Sequence, residues 1–336
     1  MKIWFNHSFS TTYHFIKLIK NNPDQRKFEI FCTHGNPNSV TLTLGDYNQV
    51  EPDVEGIDYI DFCLAFCKKH KIDIFVPGYK RLALISENYQ QFNNLGIKIL
   101  LSDDVEKMSI INDKSKTYEQ FKKNKIIAIP EYYIVNTVEQ FINAYQKIIN
   151  NGSDVCLKPL NSQGGFGFRI IDNNSDSLEH LMGTPSVRIS FDYACKVLGS
   201  EKSFAEIMVC EYLNGFEYSI DCLSYQGKLY AAIPRKKMGD RLRYLEDNQE
   251  LITIAEQFNE SYKLDFIYNI QVRYKDNVPK LLEINPRMSG GLNTSCLSGI
   301  NFPYLAIKLL FGEKIEVPKP KFGIMASDIE ETIIIS

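Results

Sequence analysis

The chain has 336 residues, 44% of them hydrophobic and 24% charged, with a formal net charge of −3. That length calls for two or three compact units, and the balance excludes both a disordered polyelectrolyte and a broadly basic nucleic-acid surface. The opening MKIWFNHSFS has no apolar run long enough for a leader or a membrane span, so a cytoplasmic protein is expected, without membrane or nucleic-acid partners. Eight cysteines without a paired CxxC unit suit buried thiols in a reducing compartment.

From Met1 to about Val105, short apolar runs alternate with amphipathic stretches: KIWFN, TTYHFIKLIKN, FEIFCTH, GIDYIDFCLAFCKKH, DIFVPG, ISENYQQFNNLG and IKILLS. This βαβα order predicts a parallel sheet covered by helices, over residues 1–105. Ligands of such sheets sit in the loops that follow strands, here Asn6 to Ser10 and Pro77 to Arg81. The first loop lacks GxGxxG and so specifies no dinucleotide. Cys63, Cys67 and His70 would share one face of a helix and could hold a metal. The same face carries Ile60 and Leu64, which favours core packing.

A second segment, 106–210, begins with a helix through NDKSKTYEQFKK, the strand EYYIV and a helix from about Thr137 to Asn150. A glycine-rich turn then joins the runs VCLKPL and FRIID, and the stretch from Ser175 to Phe204 reads as two helical pieces broken near Gly183 and Pro185. The third segment, 211–320, holds the strands EIMVCEYL (begun just before it), EYSIDCLSY and KLYAAIP. A helix over Leu245 to Tyr262 follows, then the hairpin FIYNIQVRY and KLLEIN with its turn at Asp276 and Asn277, and a helix ending at Gly312. Residues 321–336 form a tail.

Three places carry chemistry. In NIQVRYKDNVPKLLEINPR, Gln271, Glu283 and Asn285 supply oxygens on a hairpin, as magnesium requires, and Arg287 follows two residues on, where a guanidinium can bind phosphoryl oxygens in pairs. In CLKPLNSQGGFGFRI, Lys158 precedes a turn with Gly164, Gly165 and Gly167, whose amides can approach phosphate closely; no GK[ST] follows, so it is not a Walker A loop. In VCEYLNGFEYSIDCL, an extended connector through Glu211, Tyr212 and Leu213 can pair its backbone with an adenine edge, and Glu217 can accept from ribose hydroxyls. Taken singly, each of these places is equally a plain hairpin.

In this order the three resemble the ATP-grasp superfamily, most closely the branch like the large chain of carbamoyl-phosphate synthase, which has the ending E-x-N-P-R. The resemblance covers roughly Asn112 to Gly312. It implies an α/β and α+β architecture: a parallel pre-ATP-grasp βα domain (Rossmann-like), then a two-lobed ATP-grasp fold with a mobile lid at about 154–210. It implies ATP and Mg²⁺, with Mn²⁺ as a substitute. Lys114 and Lys158 would be the nucleotide-phosphate lysines, Ser162 to Gly167 the lid turn, and Glu211, Tyr212 and Leu213 the adenine hinge. Glu217 would hold ribose, Gln271, Glu283 and Asn285 the metal, and Arg287 phosphate. Gln271 departs from the acid found in many members, and the glycine turn is short. The opening WFNHSFSTTYHFIKLI also looks like ATP-grasp proteins encoded near tellurite-resistance genes.

The activity so implied is an ADP-forming ligase that activates a small anionic carboxylate as an acyl phosphate for attack by an amine, a thiol or another nucleophile. A nucleotide-binding regulatory protein without turnover and a small-molecule kinase are the alternatives. The basic stretch IPRKKMGDRLRY adds Arg235 as a candidate carboxylate-binding side chain. A homodimer is compatible with all of this.

Overall fold

The computed structural model describes residues 1–160, 165–175, 177–184, 186–239 and 241–335, with nothing described for the side chain of residue 179. The chain divides into two compact units: one of residues 1–112, 216–271 and 283–336, the other of residues 113–215 and 272–282.

The first unit opens with β1 (Lys2–Asn6), α1 (Thr12–Lys20), β2 (Glu29–His34), β3 (Tyr47–Val50), α2 (Gly56–His70), β4 (Ile74–Val76), α3 (Leu82–Glu87), α4 (Tyr89–Asn94), β5 (Lys98–Ile99) and α5 (Val105–Ile111). The strands form a parallel sheet in the order β3-β2-β1-β4-β5. The order reverses direction at β1, because the chain passes to β2 on one side and later returns to β4 on the other. Trp4 stacks on Phe75 at 4.2 Å and packs with Phe66 on one face of the sheet. Cys63 and Cys67 are buried in the core on that same face, and half-buried His70 lies against Phe66 and Tyr47 at its edge.

The second unit follows with α6 (Lys114–Asn124), β6 (Tyr132–Val135), α7 (Val138–Asn150), β7 (Val155–Pro159), β8 (Arg169–Ile171), α8 (Leu178–Met182), β9 (Arg188–Ile189), α9 (Phe191–Leu198) and β10 (Ile207–Glu211). Its sheet runs β6-β10-β7-β8-β9. Phe141, Ala144 and Ile148, at helical spacing on α7, bury one face of it with Val155 and Val209.

The chain continues through β11 (Glu217–Tyr225), β12 (Lys228–Lys237), β13 (Arg243–Leu245), α10 (Gln249–Tyr262), β14 (Phe266–Lys275), β15 (Val278–Asn285), α11 (Leu292–Cys296), α12 (Phe302–Leu310) and β16 (Ile324–Ala326). These strands form a sheet in the order β15-β14-β11-β12-β13-β16. Asp276 and Asn277 both have positive φ, 51° and 63°, so the turn joining β14 and β15 is the tight primed type that matches strand twist. Within the first unit, Ile3, Phe5 and Phe15 share one core with Ile233, Phe302 and Ile307.

Two differences from the sequence reading concern short strands. The strand expected as KLYAAIP runs on as β12 through Arg235 to Lys237, and the helix expected from Leu245 starts at Gln249 because Arg243–Leu245 pairs with β12. Three- and two-residue strands such as β13, β16 and β9 have too few residues for alternation to show.

Candidate active site

On β15 the burial alternation changes phase between Leu281 and Ile284, both of which are buried, so Glu283 and Asn285 fall at half-buried positions. Asn285 Nδ2 donates to Glu283 Oε1 at 3.0 Å, and Arg287 Nη2 donates to Asn285 Oδ1 at 3.0 Å. The three side chains therefore form one hydrogen-bonded row at the end of the strand. Gln271 is half-buried on the neighbouring strand β14.

Arg287 is held from a second side. Phe9 and Tyr79, from the loops after β1 and β4, stack with ring centres 4.5 Å apart and planes 3° from parallel. The guanidinium lies 4.9 Å from the Phe9 ring centre and 6.0 Å from that of Tyr79, a geometry that attracts a cation electrostatically. Burial lowers its pKa from the ordinary arginine value, although an arginine remains charged. A small cavity of about 30 Å³ adjoins it, lined in part by Ser8, Phe9, Tyr79, Arg287 and Met288.

Arg235 is 3% exposed. Its Nε and Nη2 lie 3.4 and 3.3 Å from Asp221 Oδ2, and Nη2 also reaches Ser289 Oγ at 3.4 Å. Asp221 in turn accepts from Asn269, Ser289 and Ser295 at 2.6–2.7 Å. A Cβ on Gly291 would stand 2.6 Å from the guanidinium, so the loop after Arg287 rests directly on Arg235. A substrate contact by Arg235 would have to replace these bonds. Glu217, at the start of β11, is ion-paired with Lys237.

In the second unit, Lys158 on β7 donates from Nζ to Tyr118 Oη at 3.4 Å and lies over the same ring. The Tyr118 hydroxyl contacts the carbonyls of Leu281 and Leu282 at 3.1 and 2.9 Å. Burial works against the Lys158 charge, but Tyr118, Cys210 and Cys156 outweigh it and hold the ammonium above its ordinary value. Lys114 begins α6, half-buried, where the helix dipole disfavours a cation; Asp113 offsets this by accepting from the amides of Ser115 and Lys116.

Gly165 and Gly167 have φ of +77° and +72°, and a Cβ on Gly167 would stand 2.7 Å from the Pro159 ring. Phe166 between them is 79% exposed. Ser162 and Gly164 lie outside the described residues.

Glu211 ends β10 with its side chain buried away from solvent. It ion-pairs with Lys275 at 3.0 Å and with Lys280, and accepts from the Glu131 amide at 3.0 Å. Burial raises its carboxyl pKa, yet the hydrogen bonds from Lys280 and Lys275 prevail and hold it below the usual value. The Tyr212 amide donates to Asp154 O at 2.7 Å, and Arg273 lies over the Tyr212 ring. Leu213 is buried, and neither its backbone N–H nor its C=O has a hydrogen-bond partner among the described residues. The connector thus ends in an open backbone edge, while Glu211 anchors the preceding strand through Lys275 and Lys280. Those two lysines were not singled out in the sequence. Each is one polar residue in a strand, and only the tertiary pairing with Glu211 gives them meaning.

Residues 203–332 match the family described as ATP-grasp in the biosynthetic pathway with Ter operon, and residues 7–100 match the PylC-like N-terminal domain. By this match the segment 203–332 is of the ATP-grasp family. The Ter-operon match lies in the second half, whereas the opening residues that suggested the same group fall largely in the PylC-like match. An uncharacterised protein of Methanocaldococcus jannaschii is 24% identical over 228 residues, 66% of this chain and 52% of that protein, so the chain spans about half the length of this curated relative.

Among solved structures, the biotin carboxylase domain of Hydrogenobacter thermophilus 2-oxoglutarate carboxylase, in complex with MgADP, ADP and bicarbonate, is similar with a TM-score of 0.67. That match has 14% identity and covers 96% of this chain and 73% of that one. N5-carboxyaminoimidazole ribonucleotide synthetase of Thermus thermophilus gives a TM-score of 0.64 at 12% identity, covering 95% of this chain and 81% of the synthetase. At such identities these structures establish the fold. No helix among the described residues is long and apolar enough to cross a membrane.

Proposed function

We propose that this chain is an ATP- and Mg²⁺-dependent ligase that activates a small carboxylate as an acyl phosphate and releases ADP and phosphate after attack by an amine. The observation that carries this reading is the row Glu283, Asn285 and Arg287: a carboxylate, an amide and a guanidinium preset by hydrogen bonds of 3.0 Å at the end of one strand. This donor set fits a hard cation that takes a few protein oxygens and leaves its other positions to phosphate and water. Gln271, Glu283 and Asn285 would hold it, and bound there it would neutralise phosphoryl charge. Mn²⁺ would serve in its place.

Lys158 and Lys114 supply fixed positive charge for the nucleotide phosphates. The open edge at Leu213 supplies one donor and one acceptor for an adenine, and Glu217 accepts from ribose once Lys237 releases it. Arg287 binds the transferring phosphoryl oxygens or the carboxylate by paired hydrogen bonds. Such a transfer needs positioning and charge neutralisation and no nucleophilic side chain. The similar biotin carboxylase domain, bound to MgADP and bicarbonate, supports a carboxylate-bearing anion as acceptor.

The test is ADP release from ATP with a panel of small carboxylates, each with and without hydroxylamine as a general nucleophile. Hydroxamate together with ADP is expected for at least one acid. Nucleotide binding without turnover across the whole panel would instead favour a regulatory protein, and a stable phosphorylated acceptor without any amine would favour a kinase.

A further inference from the structure

At the carboxyl ends of β1 and β2, where the order of the parallel sheet reverses, lies a polar cluster with an unmet hydrogen-bonding requirement. Crevices at such reversals are where ligands of open α/β sheets bind. His7, the first residue after β1, is 7% exposed and has a φ of +38°, in the left-handed region that a non-glycine residue seldom occupies. Its Nε2 lies 2.6 Å from Glu51 Oε2. The same buried carboxylate accepts from Thr33 Oγ1 at 2.5 Å and from the Tyr59 hydroxyl at 3.0 Å. Asn6 donates to that hydroxyl at 2.7 Å and accepts from the Gly78 amide at 2.7 Å.

Glu51 is thus fully engaged and fixes the His7 proton on Nε2, while His7 Nδ1 is enclosed and has no partner among the described residues. A buried acceptor left bare is destabilising, as backbone strain is, and neither persists without a reason. A carboxylate behind one imidazole nitrogen, with the other nitrogen bare, is the arrangement that lets a histidine take up a proton.

The neighbouring ring supplies the opposite character. His34 lies 5.0 Å from His7, centre to centre, and its Nδ1 accepts from the Asn36 amide at 2.9 Å, which leaves Nε2 as a donor. Burial holds His34 below the ordinary imidazole value, with His7 and Lys80 acting in the same direction and Glu51 and the Asn36 amide against it. One acceptor beside one donor, with a lysine close by, suits a ligand bearing both an N–H group and an anionic group.

We propose that the second substrate is an amine carrying an anionic group, an amino acid in class, and that it binds here with its nitrogen at His7 Nδ1. This rests on the ligase reading above. The nitrogen lone pair forms the C–N bond to the acyl carbon, and the C–O bond to phosphate breaks with its electron pair leaving on phosphate. The proton lost by nitrogen passes to His7 Nδ1, and Glu51 stays ionised to stabilise the imidazolium. Phe9, two residues along the same loop, contacts Arg287, which connects this site to the row on β15.

Two measurements on the full chain test the proposal. Nitrogen-15 spectra of the histidine side chains, with His7 assigned by its loss in His7→Gln, should show the Nε2–H tautomer. Millimolar glycine should shift both His7 and His34 more than acetate or ethylammonium does. An Nδ1–H tautomer, or no response to glycine, overturns the site whatever the enzyme does. With an acid that yields hydroxamate in the parent, His7→Gln should lose about 10²–10⁴-fold in amide formation from an amino acid. His7→Gly, which suits the positive φ, should recover part of the rate on adding imidazole. A parental amide rate in His7→Gln, or no rescue of His7→Gly by imidazole, refutes the role of His7. A parent chain that makes no hydroxamate from any acid refutes the ligase reading and the proton step with it, and the glycine site then stands or falls on the spectra alone.

Discussion

At the scale of single residues, the row on β15 and the anchor at the end of β10 make opposite demands on a mutation. Glu283 is half-buried and near the end of a strand, so Glu283→Ala should leave the thermal transition within a few degrees of the parent and remove ATP turnover. Asn285→Ala should do nearly as much, because it also frees Arg287 from its 3.0 Å bond. Parental turnover by Glu283→Ala would move the metal elsewhere. Glu211 is the reverse case, a buried carboxylate between two lysines whose loss should cost about 3–5 kcal/mol of stability. Its folded pKa is depressed, so its contribution is complete above the ordinary glutamate value of 4.5 and is lost as pH falls through the lower folded value. The stability gap between parent and Glu211→Gln, read by urea denaturation, should therefore be wide at neutral pH and narrow in acid. A gap that widens in acid would show that the lysines do not hold the carboxylate.

At the scale of elements, long alternating or amphipathic stretches were legible and the irregular ones were not. GIDYIDFCLAFCKKH reads as a helix and forms one over Gly56–His70, and the turn at Asp276 and Asn277 follows from residues that accept positive φ. The buried role of Arg235 could not be read, because its partner Asp221 is fourteen residues away on β11 and charge runs ordinarily face solvent. Arg235→Ala should strip Asp221 of its guanidinium and lower the urea midpoint; parental stability with a raised Michaelis constant for the carboxylate alone would return Arg235 to substrate contact. The glycine turn is the other element with a testable consequence. Phe166 is 79% exposed, so chymotrypsin should cut beside it readily, and a non-hydrolysable ATP analogue with Mg²⁺ should slow that cut several-fold if the turn closes over nucleotide. Cleavage indifferent to nucleotide would make it a fixed structural turn.

At the scale of the whole molecule, the order of elements announced a parallel sheet and, later in the chain, a hairpin, and pattern alone suggested that residues 1–105 form a domain of their own. What pattern could not carry is where the apolar faces of those elements find their partners, since that depends on contacts between residues almost the full chain length apart. Ile3, Phe5, Phe15, Ile16 and Ile19 share a core with Ile233, Leu245, Phe302 and Ile307. Arg26 binds Glu313 with two bonds of 2.5 and 2.7 Å, and Asp24 accepts from Tyr304 at 2.6 Å and Lys308 at 2.8 Å, so the loop between α1 and β2 is tied to α12 and to the residues just after it. Burying five such apolar side chains contributes about 7–15 kcal/mol, as much as the whole net stability of an ordinary domain. Expression of residues 106–336 alone should therefore yield a chain without a cooperative thermal transition and without near-ultraviolet circular dichroism, even though residues 113–215 keep a core of their own around Phe141 and Val209. The charge pairs at the rim are too exposed to reverse that outcome, since each is worth about 0–1 kcal/mol, and Arg26→Ala in the full chain should shift the transition only slightly. A fragment 106–336 that unfolds cooperatively with native tertiary signals would mean that the apolar face of α12 finds another cover, and that the shared core is dispensable to the fold.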